Sequence, residues 1–261
     1  MSVPTFPSEI LYLFLDELGS AAIKDPQSRA ALLACTLVNT QFYHQASSYI
    51  FSSLFISTLH SQKRLNALFD ILNSNPDITR HIRSLIMEIQ IYTVPVRLHA
   101  ILRQLCHLQK LGWIEVPERP AYCNVTPPTG NLCNLPSLPV TALHFENVLR
   151  FPLSLFPACY QLESLTLVDV RFLKMGSKPL PGSLFLSLRT LKISASMWSN
   201  KEVEAVTFIM TRAAPTLTTL ILSKTGLIDR KFYSSLVPNL LFILPTNKLV
   251  HRISIPPSSQ S

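Results

Sequence analysis

Few residues of this chain are arranged in a way that could support catalysis. The sequence has 6 glycines, and none lies in the Gly-rich spacings that hold phosphate groups. No serine stands in the Gly-x-Ser-x-Gly pattern of a nucleophile elbow. Because no set of residues suggests a nucleophile beside its base, we predict that the chain is not an enzyme and uses no cofactor.

The cysteines and histidines do not form a recognisable metal site. No two cysteines have zinc-knuckle spacing, and Cys106 and His107 are adjacent, so they cannot easily share one tetrahedral ion. We predict no metal and free thiols in a reducing compartment, the cytoplasm, the nucleus or both. No apolar run reaches the length of about 18 residues that spans a bilayer, so we expect no membrane contact. The cysteines are Cys35, Cys106, Cys123, Cys133 and Cys159.

Positive charge is concentrated in the second part of the chain. Residues 1–60 contain two basic and four acidic groups, whereas residues 61–261 contain 21 basic and 11 acidic groups. A basic surface of this kind attracts acidic proteins or nucleic acid. The densest group of cations comprises Arg171, Lys174, Lys178, Arg189 and Lys192.

The first helix that the sequence predicts is apolar on all sides. Pro7 suits the first turn of a helix, and every residue from Ile10 to Leu15 is large and apolar. A helix packed only on its own core would show one apolar stripe. We therefore expect this helix to lie between its own domain and another polypeptide.

Two more short helices are predicted to follow. Asp25-Pro26 reads as an N-cap followed by proline at the first helical position, and this second helix should end near Asn39. A third apolar stripe comprises Phe42, Ala46, Tyr49 and Ile50.

These residues resemble the F-box family, and the run from Phe6 to Phe51 looks most like fungal F-box proteins. Phe6-Pro7-Ser8-Glu9-Ile10 matches the Leu-Pro-x-Glu-Ile opening of that family, with Phe6 in place of leucine. Phe42 stands where the family has tryptophan, and Asn39 replaces a cysteine. The resemblance implies that the helices bind a Skp-type adaptor and, through it, a cullin. Which face of the first helix binds is left open. The predicted adaptor contacts are Phe6, Pro7, Ile10, Leu11, Phe14, Leu37, Val38 and Phe42.

A Leu-x-x-Leu-x-Leu figure recurs along the rest of the chain. Its central positions are residues 85, 111, 143, 165, 191 and 220. Leucine-rich repeats have this core and comparable periods. Because side chains alternate along a strand, the residues between the leucines should line an exposed sheet face. The substrate-facing candidates on it are Glu88, Lys110, His144, Glu146, Thr166, Lys192 and Ser194.

The predicted fold class is therefore α/β, with an N-terminal three-helix F-box followed by a short, irregular leucine-rich-repeat-like solenoid. Its parts are residues 1–55 as the F-box, 56–80 as a helical linker, 81–245 as about six degenerate repeats with a Pro-rich insertion at 117–139, and 246–261 as a mobile tail.

The function expected from this resemblance is that of a substrate-receptor subunit of a Skp-cullin-F-box ubiquitin ligase, with an unknown protein substrate held by the repeats. Two alternatives stay open. One is a leucine-rich-repeat scaffold without a ligase role, and the less favoured one is a nucleic-acid-binding protein that uses the basic C-terminal part. The exposed row lacks the interleaved aromatic residues on which bases stack, so nucleic acid is not the expected partner.

Overall fold

A computed structural model describes residues 7–22, 25–57, 61–90, 97–116, 139–149, 151, 153–172, 185–195 and 199–224. The helices are α1 (Ser8–Ala22), α2 (Pro26–Cys35), α3 (Thr40–Ile50), α4 (Ser61–Ser74), α5 (Leu98–Gln104) and α6 (Asn200–Ala213), with 3-10 helices η1 (Pro76–His81) and η2 (Leu153–Ala158). The strands are β1 (Ser53–Ile56), β2 (Ser84–Gln90), β3 (Lys110–Val116), β4 (Ala142–Glu146), β5 (Ser164–Val168), β6 (Thr190–Ala195) and β7 (Thr219–Lys224).

The predicted fold class, a three-helix F-box followed by a short leucine-rich-repeat-like solenoid, is wrong. Over its described residues, the chain instead forms an α/β arrangement in which helices accompany an all-parallel sheet of seven strands in chain order. The sheet begins at Ser53, with only two residues between it and the end of α3, and Phe51 and Leu54 already pack against the large core of the sheet. The figure Phe51-x-x-Leu54-x-Ile56, which the prediction places in the helical region, supplies this first strand.

The division of the chain into the four predicted segments stays a prediction. Most of the Pro-rich insertion, residues 117–138, and the whole tail, 246–261, lie outside the described residues.

The sheet is held by leucines that occupy equivalent positions on neighbouring strands. Leu85 pairs with Leu111 across β2 and β3, and the register continues unchanged to the last strand. Residues alternate between half-buried and buried along β4 and β5, as expected when one face of the sheet packs on the core. The buried row comprises Leu85, Leu111, Leu143, Leu165, Leu191 and Leu220.

Helices cover the inner face of the sheet. α4, α5 and α6 each present an apolar stripe at helical spacing, and their buried residues join the same core as the strand leucines. These stripes comprise Leu65, Leu68 and Leu72 on α4, Leu98, Ile101 and Leu102 on α5, and Val206, Ile209 and Met210 on α6.

The first three helices enclose a second, much smaller core. Its buried members are Leu15 of α1, Leu32 of α2 and Ala46 of α3. The Asp25 side chain accepts hydrogen bonds from the backbone N–H groups of Gln27 and Ser28, so it caps α2 as predicted. Leu15 and Leu32 bring the middle of α1 against the middle of α2 in this core.

The second helix is shorter than predicted. α2 ends at Cys35, and Leu37 and Val38 lie in the turn that follows rather than in the helix. Asn39 causes the change, because its side chain accepts a hydrogen bond from the Phe42 backbone N–H at 2.9 Å and caps α3.

A polar contact inside the helical region depends on a glycine. On α1, Asp16 accepts hydrogen bonds from Tyr49 Oη and, at 3.3 Å, from Gln45 Nε2 of α3. Burial, followed by the bond to Asp16, raises the pKa of Tyr49. A Cβ atom at Gly19 would lie 2.3 Å from Tyr49 Cδ1, so the ring occupies space that only glycine leaves open.

We predict that Gly19→Ala lowers the free energy of unfolding, because the new methyl group displaces the Tyr49 ring. Overpacking of this kind costs about 1–3 kcal/mol, partly offset by the better helix propensity of alanine, which contributes up to about 1 kcal/mol. Urea denaturation followed by circular dichroism measures the difference.

The exposed neighbour Ser20 supplies the matched control, because Ser20→Ala changes helix propensity without touching Tyr49. In a Tyr49→Ala background the cost of Gly19→Ala should disappear. An equal loss of stability in both backgrounds would contradict the proposed steric cause.

Candidate functional site

Helix α1 exposes large apolar side chains along one face. Leu13 is 68% exposed, Phe14 is 56% exposed and Ile10 is 50% exposed. Their spacing of three and four residues places them together on the helix surface. The small helical core buries Leu15 of α1 and leaves these three in water, because a three-residue core has no room for them.

The turn after α2 adds a second group of exposed apolar side chains. Leu37 is 87% exposed, and Val38 and Leu33 are also more than half exposed. Gln41 Nε2, near the start of α3, donates a hydrogen bond to Tyr12 Oη, so the turn between α2 and α3 lies near the N-terminal half of α1. We call the combined area the apolar surface, and it comprises Ile10, Leu13, Phe14, Leu33, Leu37 and Val38.

The predicted adaptor contacts are distributed unevenly over this region. Ile10, Phe14, Leu37 and Val38 belong to the apolar surface, and Pro7 is exposed at the start of α1. Leu11 is half-buried.

Two predicted contacts do not lie on the apolar surface. Phe42 is half-buried against the small core, and Phe6 lies outside the described residues. Leu13 and Leu33 were not predicted as contacts, although the spacing of Leu13 to Ile10 and of Leu33 to Leu37 would have indicated them.

The substrate-facing candidates lie on the outer face of the sheet, between the buried leucines. Thr166 and Lys192 occupy paired positions on β5 and β6, and His144 pairs with Thr166 from β4. Lys110 and Lys192 are exposed, whereas Glu88, His144, Glu146 and Thr166 are half-buried, and Ser194 is buried.

Charges of both signs are present on this outer face. His144 Nε2 lies 3.4 Å from Glu146 Oε2, so the two side chains form an ion pair when the imidazole is protonated. On the strand next to His144, the backbone of Gly112 is covered by the Ile86 side chain. A Cβ atom added at Gly112 would lie 3.0 Å from Ile86 Cγ1. The face thus combines a few charges with apolar area.

The dense group of cations noted in the sequence is only partly available for binding. Arg171 Nη1 lies 3.7 Å from Glu202 Oε2 at the start of α6. Arg189 and Lys192 are exposed, and Lys174 and Lys178 lie outside the described residues. The pairing of Arg171 reduces the charge available for nucleic acid.

Within the described ranges, no three histidine, cysteine or acidic side chains are grouped so that they could hold a metal ion. In the same ranges, no helix is long and apolar enough to cross a membrane. Burial raises the pKa of the Cys159 thiol to about 12, so this side chain packs as an apolar group.

The core contains one carboxyl group that the sequence reasoning missed. Glu115 on β3 is 4% exposed, and its Oε2 accepts a hydrogen bond of 2.8 Å from the Leu149 backbone N–H after β4. Burial raises its pKa to about 7, and this hydrogen bond only partly opposes the effect. The nearby Trp113 indole N–H also favours the charged form, although it forms no well-aligned hydrogen bond with a described acceptor.

No family model matches the chain, and no curated protein matches it.

We predict that Glu115 makes stability fall as pH rises. The pKa of Glu115 is about 7 in the folded chain, against an ordinary value of 4.5, so the folded state holds the proton more tightly. The stabilisation that Glu115 contributes is complete below its ordinary pKa of 4.5 and is lost as pH rises through its folded pKa of about 7. Glu115→Gln removes the titration, so between about pH 5 and about pH 8 the variant should gain about 2–3 kcal/mol relative to the parent.

Urea denaturation at the two pH values measures this difference, and comparing slopes with pH removes any constant packing effect of the amide. The exposed Glu163 provides the control variant, Glu163→Gln. Parallel stability curves for the parent and Glu115→Gln would contradict the assignment of a buried, titrating carboxyl group.

Proposed function

We propose that the chain is the substrate-receptor subunit of a Skp-cullin-F-box ubiquitin ligase. In this role the apolar surface binds the Skp-type adaptor, and the outer face of the sheet receives a protein substrate. The observation that carries the proposal is the set of exposed apolar side chains on α1 and after α2. They lie in the part of the sequence that resembles the F-box.

The energetics of the apolar surface favour a bound partner. Fully burying one side chain of this size contributes about 1.5–3 kcal/mol. A micromolar complex requires about 8 kcal/mol, so several such side chains provide the right scale after the cost of association is subtracted. Contiguous exposed apolar area on a soluble protein is typical of an interaction site.

The sheet offers a separate surface for the substrate. Its outer face presents the predicted candidates Glu88, Lys110, His144, Glu146, Thr166 and Lys192, with Ser194 recessed beside them. In such a complex the chemistry takes place on another subunit, and this chain supplies proximity and orientation.

We predict that the double variant Ile10→Asp, Phe14→Asp loses the adaptor. The substitutions remove the burial energy of both apolar side chains. They also place two carboxylates in a desolvated interface, which adds a desolvation cost. Co-purification of the intact chain with a Skp-type adaptor should fall from near-stoichiometric to undetectable. Because both residues are at least half exposed, the fold should be unaffected.

A matched control comes from Tyr160 and Leu186, which are also exposed apolar residues but lie beside the later strands. Tyr160→Asp, Leu186→Asp should retain the adaptor. If the Ile10→Asp, Phe14→Asp variant recovers as much adaptor as the parent, the proposal is wrong. A folded parent chain that recovers no adaptor would favour the scaffold alternative.

A further inference from the structure

A group of basic side chains lies where the helical region meets the sheet, away from the chain positions assigned to the adaptor. Arg80 and His81 end η1, Arg83 directly precedes β2, and His44 lies on α3. We call these four residues the basic corner. Arg80 Nε donates to His81 Nε2 at 3.4 Å. Burial, followed by electrostatic effects of Arg80, His44 and Arg83, lowers the pKa of His81.

Hydrogen bonds fix the elements that carry these side chains. The Arg83 backbone N–H donates to the Ser52 carbonyl at 3.0 Å, which holds the start of β2 beside the residues after α3. Asn75 Nδ2 donates to Tyr43 Oη at 2.9 Å, which ties the start of η1 to α3. The basic corner is therefore assembled by the fold rather than by one flexible segment.

The charges of the basic corner are only weakly compensated. Asp77 lies 3.8 Å from Arg80, and both side chains are well exposed, so this ion pair contributes little. Among the residues that the structure describes, no carboxylate lies within ion-pair distance of Arg83 or His44. Lys110 extends the positive area by one strand, since its backbone N–H donates to the Arg83 carbonyl at 2.9 Å.

We propose that the basic corner binds an acidic segment of a partner protein. The four side chains are confined to η1, α3 and the residue before β2, so they match a few carboxylates better than a long phosphate backbone, which needs an extended basic track. The sequence contains only one pair of adjacent acidic residues, Asp16-Glu17, and Asp16 is held by α3. The chain thus has no acidic run of its own for this surface, and the occupant is another polypeptide.

The histidines couple this binding to pH. The groups that face His81 are Arg80 and Asp77 of its own 3-10 helix, His44 of α3, and Arg83 before β2. A bound carboxylate favours the protonated form of His81, so binding takes up a proton and tightens as pH falls. This proposal goes beyond the adaptor role and is tested without the adaptor.

Fluorescence anisotropy of a labelled oligoaspartate peptide with the intact chain tests the proposal, with an oligoasparagine peptide as the neutral probe. We expect affinity for oligoaspartate to be about three- to tenfold higher near pH 6 than near pH 8, and no binding of oligoasparagine. Arg80→Gln, Arg83→Gln should weaken binding about five- to thirtyfold. His81→Gln should remove most of the pH dependence.

The matched control is Lys201→Gln, Arg212→Gln, which removes the same charge from exposed positions on α6. It should change affinity by less than about twofold, and circular dichroism establishes that each variant is folded. Equal weakening by both double variants would mean general attraction to a basic chain and would overturn the proposal. Tighter binding of an RNA oligomer through the same arginines would overturn it in favour of a nucleic-acid surface.

Discussion

The structure depends on a row of leucines that must be covered both by neighbouring strands and by helices. Each strand of the sheet places one leucine inward at the same register, and each leucine is covered by its neighbours on the adjacent strands. A single strand and helix could not bury that side chain, so the strands are stable only as a stack. The helices α4, α5 and α6 then close the core from the inner side.

The first three helices must also cover apolar side chains, but they have far fewer residues with which to do so. Leu15, Leu32 and Ala46 are the buried members of its core, which is too small to enclose the apolar residues of α1. Leu13 and Phe14 consequently face water, although they are as apolar as the buried leucines of the sheet. The contrast between a closed sheet core and an open helical core locates the area where a partner would gain most by binding.

Sequence reasoning predicted individual elements better than their assembly. The leucines of β2 to β7 could be placed because Leu-x-x-Leu-x-Leu marks an alternating strand, and the Asp25 cap marked the start of α2. The same figure at Phe51 to Ile56 falls on the predicted boundary between the F-box and the helical linker, so the sequence did not predict the first strand or its place in the sheet. Local pattern defines a strand, whereas the extent of a sheet depends on pairing between distant residues.

Prediction of the candidate surfaces from the sequence is limited in a similar way. The apolar character of α1 could be predicted, but its outward face depends on how Leu15 packs against Leu32. Glu115 gave no sequence signal, because an acid after alternating strand residues ordinarily reads as the solvent-facing end of the strand. Its burial follows from the position of Leu149, which is distant in sequence.

Helix α3 connects the two regions that are proposed to bind partners. Through Gln45 and Tyr49 it holds Asp16 of α1, and through Tyr43 it holds Asn75 at the start of η1. The orientation of the apolar surface relative to the sheet is therefore set by hydrogen bonds on two sides of one short helix. In the proposed role of a receptor that holds its substrate in a defined position, the placement of α3 matters as much as the affinity of either surface.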